Sequence, residues 1–325
     1  MKTAAYARVK NESDIIEVFC RQTLQYVDEL YVEDNMSDDN TYLILQKLVA
    51  EGLPVRVRRD PERAHKQGPK TTAALREIAA SDPELSAVLF LDGDELLSGD
   101  RDAWKGSVDR GKAYRVKRYR YIWQSDRSGS SSVPENLTLR REKPESHKSA
   151  VVLDGSRARN MRIGHGSHYV YKRGAGRVNK DYLPDLSISH FPVRSKDQYI
   201  SKVVMGWISL LLESPNYLTS SKPLGRHWKK GFDLVMRNDF VFTDEAFIRL
   251  VGEEMGYSLG AAVESPLNVP DLRYADLIDH TPIAKKLAVA HMSLICKFWE
   301  QAGYEVSDAS GGLDVDLLPD EMHWF

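Results

Sequence analysis

Cysteine is almost absent from this chain. Only Cys20 and Cys296 occur among 325 residues, in unrelated segments and in no metal-ligand or redox spacing. That argues against a disulfide framework or a zinc-cluster module and fits a reducing, cytoplasmic setting. Charge of one sign is not in excess either. Lys and Arg number 45 against 47 Asp and Glu, for a formal net charge of -2, so the bulk balance gives no footprint for nucleic acid. Long hydrophobic runs are missing too. No window approaches the roughly 18 apolar residues of a membrane span, and the longest helical apolar stretch, Val203 to Leu212, is interrupted by Gly206 and Ser209. Met1 to Arg8 lacks the apolar core of a secretory leader. Any membrane contact is therefore expected to be peripheral.

What is present is an ordinary globular composition, 42% hydrophobic and 28% charged, on a chain long enough to bury a large core. The first hundred residues alternate short apolar runs with amphipathic segments. Strands are expected at Ala4 to Val9, Glu29 to Glu33, Pro54 to Arg58 and Ala87 to Leu91. Between them, helices are expected at Ser13 to Leu24 (capped by Ser13), Thr41 to Glu51 (closed by Gly52) and Lys70 to Ala80. The last strand, Ala-Val-Leu-Phe-Leu, is continuously apolar, as a strand covered on both faces must be. A βαβαβαβ order predicts a mostly parallel, doubly wound sheet.

After Leu97 the pattern changes. Ala113 to Trp123 reads as a basic, aromatic strand, with further strands at Asn136 to Arg141 and Ala150 to Leu153. Ser125 to Ser132 reads as a mobile loop. Beyond about residue 197 the chain reads as helical, at Asp197 to Glu213, Thr243 to Gly252 and Pro282 to Ala302, with a partly disordered acidic tail from Ser307. The expected organisation is a catalytic domain over 1–196 and a helical region over 197–325 facing the acceptor, a membrane or a partner.

Parallel α/β sheets bind ligands at the carboxyl ends of their strands, where the winding reverses. Three such ends here are polar: Arg8-Val9-Lys10-Asn11-Glu12, Glu33-Asp34-Asn35 and Asp92-Gly93-Asp94-Glu95. An Asp-x-Asp triplet by itself says little, since Asp100/Asp102 and Asp314/Asp316 form two more. Only Asp92/Asp94 follows a buried-strand pattern. Its bland reading is an Asp-Gly turn. Its chemical reading is a pair of hard carboxylates for Mn²⁺ or Mg²⁺, with Glu95 as a supporting partner.

Asp34-Asn35-Met36-Ser37-Asp38-Asp39-Asn40-Thr41 resembles the Asp-Asn-Gly-Ser-Thr-Asp-Gly-Thr signature of family-2 glycosyltransferases. Arg8 to Glu12 resembles the same family's first-strand motif, and Leu89 to Glu95 its metal motif, in the right order across the first hundred residues. The resemblance implies a GT-A-type α/β fold, a mixed and mostly parallel sheet flanked by helices with a mainly helical C-terminal region. It also implies a nucleotide-sugar donor, expected to be a UDP-sugar, and inversion at the anomeric carbon. By carry-over Asp34 would contact the base, while Arg8, Asn11, Glu12, Asp92 and Gly93 would line the nucleotide pocket. The bland alternative for Asp34 is an Asx-turn or helix cap. Met36 replaces the family's glycine, so the backbone there must adjust. Lys70, after Gly68-Pro69, is a candidate phosphate contact or a solvated lysine at a helix start.

Ser189-His190-Phe191-Pro192-Val193-Arg194-Ser195 is similar to a segment in one branch of these transferases. The likeness implies that His190 is a third metal ligand beside Asp92 and Asp94, and that Arg194 and Lys202 meet diphosphate oxygens. Eight residues apart, those two cations would share a face of one continuous helix. Gly164-His165-Gly166-Ser167-His168 is a second histidine site, of which His168 is the better sugar or phosphate contact, unless the segment is a plain turn. Tyr114 to Trp123 interleaves Arg115, Lys117, Arg118 and Arg120 with Tyr119, Tyr121 and Trp123. Such aromatics, Trp123 foremost, stack on sugar faces, and the cations suit an anionic acceptor or lipid headgroup; long solvated side chains are the bland alternative.

The family's acidic catalytic motif is not evident. Asp185, Asp181 and Glu135 are candidates for the base by location, with Asp185 preferred because it closely precedes His190. The expected activity is sugar transfer to a carbohydrate or lipid-linked glycan in surface-polysaccharide or glycan synthesis. One rival is a sugar-phosphate nucleotidyltransferase, disfavoured because Arg8 to Glu12 contains no glycine. The other is a non-catalytic carbohydrate-binding protein, disfavoured by an intact acidic triplet.

Overall fold

The computed structural model describes residues 1–62, 66–124, 132–156, 158–214, 226–238, 242–254 and 261–278. The expected loop at residues 125–131, the helix over Pro282 to Ala302 and the tail from Ser307 lie outside them, as does Cys296. In chain order the elements begin β1 (Lys2–Val9), α1 (Ile16–Thr23), β2 (Glu29–Asp34), α2 (Thr41–Ala50), β3 (Val55–Arg59), α3 (Gln67–Ser81) and β4 (Leu85–Asp92). There follow β5 (Glu95–Gly99), α4 (Arg101–Gly106), β6 (Ala113–Arg120), α5 (Val133–Asn136), β7 (Leu139–Arg141) and β8 (Ser146–Val152). The remainder are β9 (Met161–Ile163), β10 (Val170–Lys172), β11 (Gly176–Arg177), β12 (Tyr182–His190), α6 (Lys196–Glu213), α7 (Arg226–Arg237), α8 (Asp244–Glu254) and β13 (Ala262–Glu264).

Eight strands form one sheet in the order β3-β2-β1-β4-β8-β6-β12-β5. β3, β2, β1 and β4 are mutually parallel, β8 runs against β4 and β6, β12 runs with β6, and β5 runs against β12. Six of the eight strands therefore point one way. This is the mixed, mostly parallel sheet flanked by helices that the sequence reading anticipates. The winding reverses between β1 and β4, so a ligand crevice opens at their carboxyl ends.

The continuous apolar run of β4 has a direct cause. Ala87, Leu89 and Leu91 enter the larger core with Ile16 and Phe19 of α1 and Ile44 and Leu48 of α2. Val88 and Phe90 enter the core on the other face, with Leu75 and Ile78 of α3. Both faces are covered, so neither tolerates a polar residue.

Several local expectations shift. Ser13 does not cap the first helix: its amide donates to Asp39 Oδ2 at 3.1 Å, and the helix starts at Ile16. The basic strand ends at Arg120, and Asn136 to Arg141 splits into the end of α5 and the short β7. Strand β5, for which the sequence reading assigns no element, forms an edge of the main sheet. Helix α6 begins after Arg194, so Arg194 and Lys202 do not share one helix. No described helix is long and apolar enough to cross a membrane.

Candidate metal and nucleotide site

A cavity of about 1130 Å³ opens over the carboxyl ends of β1, β4 and β12, with α6 and α7 on its far wall. That exceeds the ~300–1,000 Å³ of ordinary small-ligand pockets. Arg8, Asn11, Glu12, Asp92, Gly93, Asp94, His168, His190, Arg194 and Lys202 all line it, so residues nearly two hundred positions apart face one space.

Gly93 makes the crevice narrow. A Cβ there would lie 2.9 Å from Val9 Cγ1 and 3.2 Å from Glu12 Cγ, so only glycine lets the end of β4 come this close to the end of β1. On the neighbouring turn Met36 has φ +51. The left-handed conformation expected of the family's glycine is thus adopted by a methionine, held by Ser37 N donating to Asp34 Oδ2 at 3.1 Å and by Lys10 Nζ donating to the Asn35 and Met36 carbonyls at 2.9 Å each. Asn11 is also left-handed, at φ 56, and its Oδ1 accepts from Asp38 N at 3.0 Å. Asp34 is fully buried beneath this turn, with Arg59 Nε 3.3 Å from Oδ2 and, among the described residues, no hydrogen-bond partner for Oδ1. Burial pushes its carboxyl up despite the bonds from Ser37.

Among the described residues, Asp94, Glu95 and His190 form one group able to hold a metal ion: one ligand atom from each lies within 4.8 Å of the others. Asp92 is not in that group. The antiparallel register that sets Glu95 of β5 opposite His190 of β12, with Phe191 N donating to the Asp94 carbonyl at 2.9 Å, brings the carboxylate and histidine segments together. His190 is positioned from behind, with Nδ1 2.8 Å from Glu145 Oε1 and Nε2 3.6 Å from Asp94 Oδ2. A carboxylate behind a histidine whose other nitrogen faces an acid is a familiar arrangement at metal sites. Burial would raise the Asp94 carboxyl, but Lys202, His190 and Arg194 outweigh it and hold the group well below the usual carboxylate range.

Further cations complete the balance. Arg194, 1% exposed, pairs with Glu12 and with Asp14 (2.7 Å), and its Nη1 is 3.9 Å from Asp94. Burial pushes the Glu12 carboxyl up against the pull of Arg194. Lys202 pairs with Asp94. Lys148, equally buried, bridges Asp92 and Glu95, and Arg118 binds Glu95 Oε1 at 2.7 Å. Glu145 and Lys148 were not singled out from the sequence, and Arg118 only as one cation of the basic-aromatic strip, because their approach to the acidic turn depends on the registers of β6 and β8. His168 Nδ1 donates to the His147 carbonyl, 2.5 Å away, and burial lowers the pKa of its ring to about 4, so the ring is neutral near pH 7.

Four of the expected residues do not line the cavity: Asp34 is fully buried beneath the Met36 turn, and three others stand elsewhere. Lys70 pairs with Asp60, which also binds Arg8 at 2.8 Å, and does not line the cavity. Trp123 is 8% exposed and meets Phe247 of α8 edge to face at 4.7 Å, in the core. Asp185 is exposed at a register shift of β12, with φ 59 and its carbonyl bonded to Asp100 N. Five residues of extended chain, about 16 Å at ~3.3 Å each, separate it from His190.

No protein-family model and no curated protein matches the sequence. Solved structures do. Glucosyl-3-phosphoglycerate synthase from Mycobacterium tuberculosis, in complex with Mn²⁺, UDP and glucosyl-3-phosphoglycerate, is 22% identical over 37% of this chain and 44% of its own, with a TM-score of 0.25. The match thus spans less than half of that relative. A mannosyltransferase from Pyrobaculum calidifontis, in complex with GDP-Man and Mn²⁺, is 15% identical over 93% of this chain and 82% of its own, with a TM-score of 0.36. The inositol-1-phosphate CTP transferase from T. maritima is 11% identical over 66% and 97%, with a TM-score of 0.30. At scores this low the chemistry has to be read from this chain's own residues.

Proposed function

We propose that this chain is a metal-dependent glycosyltransferase that moves a sugar from a nucleotide-diphosphate donor, a UDP-sugar, to a hydroxyl of a carbohydrate or lipid-linked glycan acceptor, with inversion. The observation that carries the reading is the convergence of Asp94 and His190, backed by Glu145, on a large cavity over the β1/β4 switch point. Asp94 and His190 would hold Mn²⁺ or Mg²⁺, which neutralises a diphosphate and the charge that builds on the leaving group. Lys202 and Arg194 stand beside Asp94. Lys202, on a flexible stem at the cavity wall, would move onto a diphosphate oxygen. Asp34, buried and outside the cavity lining, would shape the base side of the pocket through the turn that it holds by Ser37 N and Arg59. Asn11 and Glu12 would wall the nucleoside, with Glu12 fixed by Arg194. His168, neutral and with its Nδ1–H committed to the His147 carbonyl, would accept from a sugar hydroxyl through Nε2.

Residues 197–325 would supply the acceptor or membrane side, on a cytoplasmic enzyme with at most peripheral membrane contact. Thermal-shift titration with UDP, GDP and dTDP, each with and without Mn²⁺, tests the donor side. UDP with Mn²⁺ should raise Tm by several degrees at saturating ligand, roughly 3 kcal/mol at a hundredfold excess over Kd. The Asp94→Ala variant should lose both the metal-dependent part of that rise and donor hydrolysis. Equal shifts with and without Mn²⁺, or none with any nucleotide, would sink the reading. Pyrophosphate release from a nucleoside triphosphate and a sugar phosphate would support a nucleotidyltransferase instead.

A further inference from the structure

Charge is balanced over the whole chain and one-sided in one segment. The formal net charge is -2, yet residues 159–182 hold six Lys and Arg against a single acid, Asp181. Of this segment the transfer described above uses only His168. The segment builds the small antiparallel sheet β11-β10-β9, in which Arg162 and Arg177 flank Tyr171 on one rung. Ile163 and Val170 enter the core beside α3, so strand alternation turns that rung outward.

The cations of this face lie on rings. Arg162 Cζ is 5.2 Å from the Tyr171 ring centre, and Arg177 Cζ is 5.1 Å from that of Tyr169. Next along, the His147 ring stands edge to face with Tyr169 at 5.6 Å and with Tyr182 at 6.1 Å. Tyr182 carries Arg115 at 5.5 Å and Lys117 at 5.9 Å. One line of rings and cations thus runs from the small sheet to the start of β12. It touches the cavity at His168, whose ring is 6.4 Å from that of Tyr169 and belongs to the lining. The line also lacks counterions. Arg8, Arg21, Arg58, Arg118 and Arg194 each pair with a carboxylate. Among the described residues, Arg115, Lys117, Arg162 and Arg177 pair with none.

A guanidinium laid on a ring keeps its in-plane N–H groups for a planar anion and has less freedom to lose in binding one. A ring face covered by a cation is closed to a nucleobase, which counts against the single-stranded nucleic acid that basic-aromatic strips can bind. Of the large apolar side chains exposed among the described residues, only Tyr182 belongs to this line, too few for a surface that inserts into a membrane. We propose that this face binds an acidic glycan, a chain of sugars bearing carboxylate or phosphate groups, and leads it past His168 to the cavity. As the path of an acceptor the inference rests on the transfer reading given under Proposed function; as a binding surface it does not.

Titration calorimetry of the full chain with oligogalacturonate, phosphorylated dextran and neutral dextran tests this without reference to transfer. At least one acidic chain should bind, neutral dextran should not, and added salt should weaken the binding. Arg162→Gln/Arg177→Gln and Arg115→Gln/Lys117→Gln should each weaken it by about tenfold or more. Arg56→Gln, which lifts a cation from the Tyr31 ring near the other edge of the main sheet, should leave it unchanged. Failure of both acidic chains to bind, equal binding of neutral dextran, or undiminished binding by Arg162→Gln/Arg177→Gln would overturn the proposal. So would tighter binding of oligo(dT), or of vesicles of equal parts phosphatidylserine and phosphatidylcholine, if the same variants lost it; the face would then belong to nucleic acid or to a membrane. Asp94→Ala should bind the acidic chain as the wild type does. If no nucleotide gives a Mn²⁺-dependent shift in Tm while the acidic chain still binds, the transfer reading fails and the glycan surface stands.

Discussion

Glu145→Gln is the most informative single change, because it reports on stability and on the site through the same atom. Glu145 Oε1 is 2.8 Å from His190 Nδ1, and the carboxylate also pairs with Arg118 at 3.3 Å and with Arg120. Burial alone would raise its pKa. The bond from His190 and the charges of His190, Arg118 and Arg120 more than reverse that, lowering it from 4.5 to about 2. A depressed carboxyl contributes stability that is fully present above the unfolded value and is lost as pH falls through the folded one, here between about 4.5 and 2. At ~1.36 kcal/mol per pH unit the drop corresponds to roughly 3 kcal/mol at neutral pH, with about half of it gone by pH 3. The amide keeps the shape and loses the charge. Urea unfolding should therefore find Glu145→Gln less stable by about 2–3 kcal/mol at pH 7, with the gap to wild type narrowing steadily between pH 5 and pH 3. Mn²⁺ affinity should fall about tenfold in the same protein, because His190 loses its orienting partner. A gap that stays constant from pH 7 to pH 3 would refute the ionic account of Glu145, and an unchanged Mn²⁺ affinity would refute its hold on His190.

Other substitutions test the remaining placements. Met36→Gly should stabilise by about 0.5 kcal/mol in chemical denaturation, since relief of the left-handed backbone (~1–2 kcal/mol) slightly exceeds glycine's entropic cost; a loss of stability would show that the methionine side chain matters more than its φ. Gly93→Ala should cost about 1–3 kcal/mol and weaken the Mn²⁺-dependent shift by UDP, because its Cβ forces Val9 away; an unaltered shift would show that the crevice has slack. Trp123→Phe should leave KM and kcat unchanged and stability within about 1 kcal/mol, since it removes a buried indole N–H that has no partner; a large rise in KM would return Trp123 to the substrate. Asp185→Asn should transfer sugar at the wild-type rate in a donor-consumption assay, and a hundredfold loss would contradict its distance from the cavity.

The N-terminal half was legible because its signals are local. Apolar runs bounded by turns gave β1 to β4, and the strand-end rule put Asn11, Glu12, Asp92 and Asp94 around one space. Residues whose position depends on sheet register were not legible. The strip Tyr114 to Trp123 reads as one basic-aromatic patch, yet alternation sends Tyr114 and Val116 into the core, Arg118 toward Glu95 and Lys117 to the surface. Asp185 looked close to His190 because five residues separate them in sequence, but an extended chain turns five residues into a strand's length. Lys148 carried no signal at all in the sequence. A lysine between a histidine and a serine looks solvated until antiparallel pairing with β6, opposite Val116, fixes its direction.

The rung that joins Glu95 to His190 has a consequence for how the molecule comes into being. β5 leaves the sheet's founding strands early in the chain, but its only ladder in the main sheet is with β12, nearly a hundred residues later. Contacts of such long sequence separation form late, after the cost of closing the intervening loop has been met. The nucleoside side of the crevice, built from β1, β2 and β4, can be complete while the cation side is still missing. On the function proposed above, a chain that has not reached residue 190 would have the base side of its crevice without the cation side, so competence for chemistry would be a late event in folding, set by the docking of a single strand.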